Sequence, residues 1–438
     1  MSRAVDDVGG PRQLADRTPA SRERSIDLLR AVAIIAVVLG HWLVAVVGYD
    51  NGRLTGHSAL PELTWAQPIT WLMQVMPVFF LAGGFANAAS LTAWHRRGGT
   101  TAGWLIHRGG RLVRPTTALV VSLAAAALLA RLLHADPIQV RLAVSAAAIP
   151  LWFLSVYLIV VGLAPVMYTL HRRYGIAVPV VLVGLVAAGD LARLHGREWL
   201  AGGGFLFGWL VIHQMGFFWR DGRLAGRRRL AATLLLGGLG VLSLLTVAGP
   251  YPVSMIDVPG GRIHNASPPS LALLALATAQ LGAALLLRDP AERWLRRTRP
   301  WRAVVAVNGV VLTVFLWHMT AAVLLTLALH ATGRLPTPAA GTAAWFAWRV
   351  PWLIMLTIVL LILVAIVAPI ERRTPRPLQR PPSWPLALSG FAAVAAGLLD
   401  NSLYPRGQPA LFGFPTRALI AYLIGAAILR RASLPWRR

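Results

Sequence analysis

The sequence contains no cysteine in its 438 residues. This absence excludes disulfide bonds, thiolate nucleophiles and cysteine-ligated metals. The sequence also lacks the H-E-x-x-H spacing of zinc sites, so we expect no metal site. It has neither the G-x-S-x-G turn of serine hydrolases nor the glycine loop that cradles phosphates. Histidine and arginine are therefore the first residue types to consider for chemistry.

Lysine is absent as well, because all 42 basic residues are arginine, and with 16 acidic residues the formal net charge is +26. A charge of this sign often indicates nucleic-acid binding. Here the arginines lie in short segments between apolar runs, which is the distribution typical of membrane-protein loops. We therefore expect the lipid bilayer, and no nucleic acid, as a partner.

Apolar residues make up 56% of the chain, charged residues only 13%, and the mean hydropathy is +0.62. These values predict an all-α polytopic membrane protein. With about 20 residues per span, ten apolar segments are predicted between residues 25 and 370. They lie at 25–47, 68–91, 115–133, 143–170, 176–188, 199–219, 230–247, 271–287, 303–329 and 351–370.

Three segments flank or follow this ten-helix bundle. Residues 1–24 are polar and rich in glycine and proline, which predicts a disordered tail. Residues 371–385 form a basic linker, and residues 386–438 hold two shorter apolar stretches, 386–399 and 411–429, followed by a basic end. We interpret these last two stretches as a C-terminal helical hairpin.

The arginines also predict the orientation of the chain in the cell membrane. If the spans alternate from a cytoplasmic N-terminus, the cytoplasmic segments hold 32 arginines and the outer segments 10. The positive-inside rule then places the tail, the linker and both termini in the cytoplasm.

The first predicted helix carries the most informative pair, Arg30 and His41. Ten residues without a polar side chain separate them. Eleven helical steps return His41 to roughly the face of Arg30, about 16 Å along the axis. Ionisable side chains inside a span usually serve function, although an arginine can extend to the headgroups and a histidine can bond a neighbouring helix.

A second basic group consists of Arg108, Arg111 and Arg114, spaced three residues apart. On one helix such residues are neighbours, and guanidinium groups bind phosphate bidentately. The group therefore suits a phosphate-rich donor, while ordinary positive-inside loading is the alternative. Pro115, which follows directly, is typical of the first turn of a helix.

The stretch Ile26-Asp27-Leu28-Leu29-Arg30, followed by ten residues and then His41, resembles the first helix of the integral-membrane acyltransferase family 3. Leu28 stands where that family usually has glycine. Arg111-Leu112-Val113-Arg114-Pro115 is similar to the R-x-x-R of the family, and Gly83 replaces a serine of its second helix. The resemblance covers roughly residues 25–370.

The resemblance implies a membrane O-acyltransferase that moves an acyl group, acetyl being the expected one, from cytosolic acyl-CoA to a hydroxyl of a carbohydrate, glycolipid or other metabolite. No cofactor is expected to stay bound. The implied roles are catalysis by His41 and Arg30, donor binding by Arg108, Arg111 and Arg114, and further pocket positions at Asp27, Asn87, Trp152 and His318. Asn87 and Trp152 equally fit helix–helix hydrogen bonding and packing.

A transporter or flippase is the rival interpretation. In it, Arg30, His41 and His318 form a substrate or proton path. A repeated half with matching broken helices would favour a transporter, and the sequence has no clear internal repeat.

The arginine distribution makes a direct topological prediction. Reporter fusions at Gly98 and Gly222 should give a cytoplasmic signal, and fusions at Gly56 and Thr337 an outer one, because short arginine-rich loops stay inside. An outer signal at Gly222 contradicts the scheme.

Overall fold

The computed structural model describes residues 11–16, 18–19, 22–50, 53–257, 263–372, 383–405 and 407–432. Within these ranges it is almost entirely helical, with one two-stranded sheet. The elements are α1 (Pro11–Asp16), α2 (Arg24–Val44), β1 (Ala45–Asp50), β2 (Arg53–Ser58), α3 (Thr70–Met73), α4 (Met76–Arg96), α5 (Thr101–Leu132), α6 (Pro137–Ala147), α7 (Pro150–Tyr174), α8 (Ala177–Leu194), α9 (Gly204–Arg220), α10 (Arg228–Ser243), α11 (Leu271–Leu295), α12 (Thr298–Asn308), α13 (Val311–Ala331), α14 (Ala343–Arg372), α15 (Trp384–Leu403) and α16 (Thr416–Ala432).

Eleven helical segments of the described chain are long and apolar enough to cross a membrane. The predicted class, an all-α polytopic membrane protein, is confirmed. The chain divides into two compact units. Unit 1 comprises residues 1–36, 68–88 and 170–311, and unit 2 comprises residues 37–67, 89–169 and 312–438.

Small residues bring helices of unit 1 into close contact. A Cβ atom at Gly84 of α4 would overlap the backbone of His213 on α9, and Phe80 stacks on Trp209 with ring centroids 4.4 Å apart. In the same way, a Cβ atom at Gly238 of α10 would lie 2.5 Å from the backbone nitrogen of Ala279 on α11. Close backbone approach through glycine is the usual packing mode of membrane helices.

A buried carboxylate holds the connection before α11. Asp190 of α8 is 3% exposed and ion-paired with Arg193, and it accepts hydrogen bonds of 2.8 Å from the Tyr251 hydroxyl and the Leu271 amide. Burial and the Asp190 charge both raise the pKa of Tyr251. The phenol therefore stays protonated and donates to the carboxylate.

The C-terminal hairpin forms within unit 2. Gly397 of α15 faces the backbone of Ala418 and Tyr422 on α16, so these two helices touch closely. The hairpin also packs on α5, since Phe391 lies against Gly109 and the Tyr422 hydroxyl is 2.9 Å from Oγ1 of Thr117.

The predicted end of the first span is wrong. Helix α2 ends at Val44, and residues 45–50 pair with residues 53–58 as antiparallel strands, with Val47 opposite Gly56. Val46, Val47 and Tyr49 are β-branched or aromatic residues, which favour a strand. The sequence Asn51-Gly52 between the strands, a strong hairpin signal, lies outside the described residues. His41 is consequently in the last turn of its helix.

Three other predictions of helix bounds are also wrong. The third span begins at Thr101, whose helix is capped by Thr100 Oγ1, so Pro115 lies inside α5 instead of in a first turn. The predicted span 143–170 is broken before Pro150 into α6 and α7, as proline disfavours a helical residue before it. The predicted span 303–329 is broken at Gly309 into α12 and α13.

Part of the predicted tail is described. Residues 11–16 form α1, whose Ala15 is buried against Trp301, and the Trp301 indole donates to the Thr18 hydroxyl. The rest of residues 1–24, apart from 19 and 22–24, lies outside the described residues. The same holds for most of the predicted linker, residues 373–382.

Adjacent glycines of α10 allow a matched test of the packing. Gly238→Ala should lower the thermal midpoint in detergent, because overpacking against the α11 backbone costs about 1–3 kcal/mol. Gly237→Ala should leave the midpoint unchanged or raise it, since nothing lies within 4 Å of a Cβ atom there and alanine is the better helix former. Equal midpoints for the two variants would contradict the packing of α10 on α11.

Candidate functional site

The imidazoles of His41 and His318 meet in unit 2. Nδ1 of His41 lies 2.8 Å from Nε2 of His318, and the ring planes differ by 6° with centroids 5.0 Å apart. Two rings packed face to face cannot bring atoms closer than about 3.5 Å. The rings therefore meet edge to edge, joined by a hydrogen bond lying in the ring planes.

The hydrogen bonds determine which nitrogen carries each proton in the neutral pair. Nδ1 of His318 is 2.6 Å from the carbonyl oxygen of Phe315, which can only accept, so this Nδ1 carries a hydrogen. Nε2 of His318 must then accept from Nδ1–H of His41. Nε2 of His41 is left with a lone pair, and no hydrogen bond from the described residues reaches it. His41 is partly exposed, whereas His318 is fully buried.

Arg349 of α14 fixes the end of α2 that carries His41. Its Nη1 donates to the carbonyl oxygens of Trp42 (3.4 Å) and Ala45 (2.8 Å), and its guanidinium lies 4.4 Å from the Trp345 ring centroid. Carbonyls at a helix C-terminus have no partner within the helix and favour a cation. Trp42 also donates its indole N–H to the carbonyl oxygen of His318 at 3.1 Å.

Glu371, near the other end of α14, fixes the start of the helix that carries His318. Its carboxylate accepts from the backbone amides of Leu312 (3.2 Å) and Thr313 (2.8 Å), and from the Thr313 hydroxyl at 2.5 Å. Free amides and the dipole at a helix N-terminus both stabilise an anion. One helix thus anchors the two helices that supply the histidines.

Phe153, next to the predicted Trp152, packs against the helix that carries His318. Its ring lies 5.2 Å from that of Phe315, whose own ring is 6.0 Å from His318. Trp152 makes an edge contact with Phe153 at 6.3 Å. The phenylalanine of the Trp-Phe-Leu motif therefore contacts the His318 helix, and the pocket position of Trp152 stays a prediction.

Arg30 and Asp27 belong to unit 1 and form a group there. The Asp27 carboxylate is bound by Nε and Nη2 of Arg22 at 2.7 and 3.0 Å, and Nη1 of Arg30 lies 3.9 Å from it. The side chain of Arg30 is 30% exposed. The backbone carbonyl of Asp27 accepts from Asn308, which ties α12 to α2.

Arg108, Arg111 and Arg114 lie on the first four turns of α5, in unit 2. Arg111 is exposed, and the other two are partly exposed. Arg111 is close enough to Glu371 for its positive charge to stabilise the negative charge of the carboxylate. The predicted donor group is therefore near the start of the His318 helix.

Asn87 belongs to unit 1. It is 1% exposed, and its amide nitrogen is 3.0 Å from Nε2 of the fully buried His213. This contact joins α4 to α9 beside the Gly84 crossing. The structure thus gives Asn87 a helix–helix hydrogen bond.

Sequence reasoning missed Arg349 and Glu371. Arg349 lies two residues before the predicted apolar span 351–370, and Glu371 lies one residue after it. A charged side chain at the edge of such a run is itself a signal, since it normally has a partner there.

A comparison with protein families finds one match: a family model described as an acyltransferase domain matches residues 23–370. No curated protein and no solved structure matches the chain. The matched range contains every residue of the histidine pair and its anchors except Glu371 and ends before the C-terminal hairpin.

Proposed function

The chain belongs to the integral-membrane acyltransferase family 3, and on that premise we propose that it transfers an acyl group, acetyl by preference, from cytosolic acyl-CoA to a hydroxyl group. The acceptor is a carbohydrate, a glycolipid or another hydroxyl-bearing metabolite. The observation that carries the proposal is the hydrogen bond between His41 and His318, which leaves a lone pair on Nε2 of His41. No other described residue makes a hydrogen bond to this Nε2.

His41 acts as the general base in this proposal. Its Nε2 removes the proton of the acceptor hydroxyl as the oxygen attacks the thioester carbonyl carbon. When the carbon–sulfur bond breaks, the same proton passes from Nε2 to the departing thiolate of coenzyme A. Proton transfer by a positioned side chain contributes about 10² to 10⁴ in rate.

His318 is a positioning residue for that base. Its Nδ1–H is held by the Phe315 carbonyl, so Nε2 accepts from His41 and keeps the lone pair of His41 on the far nitrogen. The same hydrogen bond stabilises the imidazolium that forms when His41 takes a proton. The arrangement resembles the role of the acid in a Ser-His-Asp triad, with a neutral acceptor instead of a carboxylate.

Arg108, Arg111 and Arg114 bind the phosphates of the donor, and Arg30 assists the reaction as the second catalytic residue. Guanidinium groups suit phosphate because two N–H donors meet two oxygens. With both termini in the cytoplasm, as the arginine distribution favours, the start of α5 faces the compartment that contains acyl-CoA.

His41→Ala should reduce acyl transfer by about 10² to 10⁴, while donor affinity changes little, since a general base acts mainly in the transition state. The measurement is transfer of labelled acetyl from acetyl-CoA to candidate acceptors, with donor binding measured separately. His57→Ala, at an exposed histidine of β2, is the matched control and should keep parent activity.

His318→Ala should give a smaller loss than His41→Ala, because the base remains but its tautomer is no longer fixed. Transfer by His41→Ala at nearly the parent rate would disprove the catalytic assignment. If the His41→Ala variant instead lost a flux of protons or substrate across the membrane, the transporter interpretation would be favoured.

Donor binding gives an independent prediction. Arg111→Ala or Arg114→Ala should weaken acyl-CoA binding by about tenfold or more, the value of one charge-assisted contact of about 1.5–3 kcal/mol. Arg229→Ala, at an exposed arginine of α10, should leave the dissociation constant unchanged. If neither α5 variant alters donor affinity, these arginines serve topology alone.

A further inference from the structure

Unit 1 contains a small basic cavity that has no part in the proposed reaction. It lies between the start of α10 and the end of α11 and has a volume of about 100 Å³. Three arginines line it, Arg227 and Arg228 from one side and Arg293 from the other. We call it the three-arginine pocket.

The positive charge of the pocket is not balanced by the protein. Asp289 is the one acidic residue among those lining it, and Nη1 of Arg288 already binds that carboxylate at 3.0 Å. Across the described chain, Arg227, Arg228 and Arg293 make no salt bridge and no side-chain hydrogen bond, and all three are exposed. Cations that line one small cavity repel one another, so an anion between them is favoured.

The size of the cavity restricts the anion. Sites that bury a drug-sized ligand measure about 300–1,000 Å³, several times this volume. One phosphate group fits the 100 Å³ of the three-arginine pocket, whereas a whole nucleotide does not. Three guanidinium groups supply the bidentate donors that phosphate oxygens accept.

The surroundings of the pocket are those of a bilayer boundary. Both helices are candidate membrane spans, and the arginines lie at their ends. Trp294, next to Arg293, is 46% exposed, as is typical of the headgroup level. Leu236 and Leu287 expose 68% and 64% of their surface further along the helices, which offers apolar contact to acyl chains.

We propose that the three-arginine pocket binds the phosphate of an anionic phospholipid, with the acyl chains lying along the exposed leucines of α10 and α11. A phospholipid supplies both the anion that the arginines lack and the apolar chains that the helix surfaces contact. Basic pockets between membrane helices are a recognised mode of headgroup binding. The bound lipid would link α10 to α11 at their ends.

The test is lipid binding to the purified full-length protein in detergent, measured by native mass spectrometry and by thermal midpoint. Phosphatidylglycerol should bind and raise the midpoint, and phosphatidylcholine should not. Arg227→Gln combined with Arg293→Gln should weaken phosphatidylglycerol binding at least tenfold. The matched control, Arg296→Gln with Arg299→Gln, changes two exposed arginines outside the pocket and should keep parent affinity.

Further arms separate other sources of phosphate. Inorganic phosphate and acetyl-CoA should fail to displace the lipid at equal concentration, and displacement by either would overturn the proposal. Arg227→Lys with Arg293→Lys, which keeps the charge and the fold but loses the bidentate geometry, should give intermediate affinity. Equal phosphatidylglycerol affinity in the parent, Gln and Lys proteins would show that the pocket is not the site.

Discussion

The hydrogen bond between His41 and His318 imposes the strictest requirement on this structure. A 2.8 Å contact between ring nitrogens requires that two helices far apart in sequence keep a fixed position and rotation. An imidazole left without its partner in an apolar region costs about 1–3 kcal/mol. The helices around the pair are accordingly fixed at their ends, where polar groups are available.

Helix α14 provides that fixation from both of its ends. Arg349 binds the carbonyls of Trp42 in the last turn of α2 and of Ala45 directly after it, and Glu371 binds the first amides of α13. A cation at a C-terminus and an anion at an N-terminus each oppose the local helix dipole, so both contacts are favourable in sign. Because the stretch of α14 between Arg349 and Glu371 carries no charged residue, the two charges at its ends are favourable where each has a backbone partner. The rotamers of the histidines therefore depend on a helix that contributes no reacting group.

The class of fold was predictable from sequence, and His41 stood out as a candidate, because apolar length and an ionisable residue inside an apolar run are local signals. The pairing of His41 with His318 was not, since 277 residues separate them and no pattern in either helix specifies its partner. The end of α2 at Val44 was misjudged because valine suits both an apolar helix and a strand. Pro115 was misplaced because α5 begins after the Thr100 N-cap and contains the proline in its interior. The contact of Phe153 with Phe315 depends on which face of α7 meets α13, which sequence alone does not fix.

The C-terminal hairpin lies beyond the matched family domain, yet it shares a surface with the basic group of α5. Phe391 occupies the space beside Gly109, the residue next to Arg108, and the Tyr422 hydroxyl bonds Thr117 three residues beyond Arg114. A side chain at position 109 would collide with the phenylalanine ring, so glycine is required there by the hairpin. Pro115 cannot donate a backbone hydrogen bond within α5, and the hydroxyls of Thr116 and Thr117, which follow it, donate to the carbonyls of Leu112 and Val113, which precede it. The position of Arg111 and Arg114 is thus set jointly by α5 and by a hairpin outside the family domain.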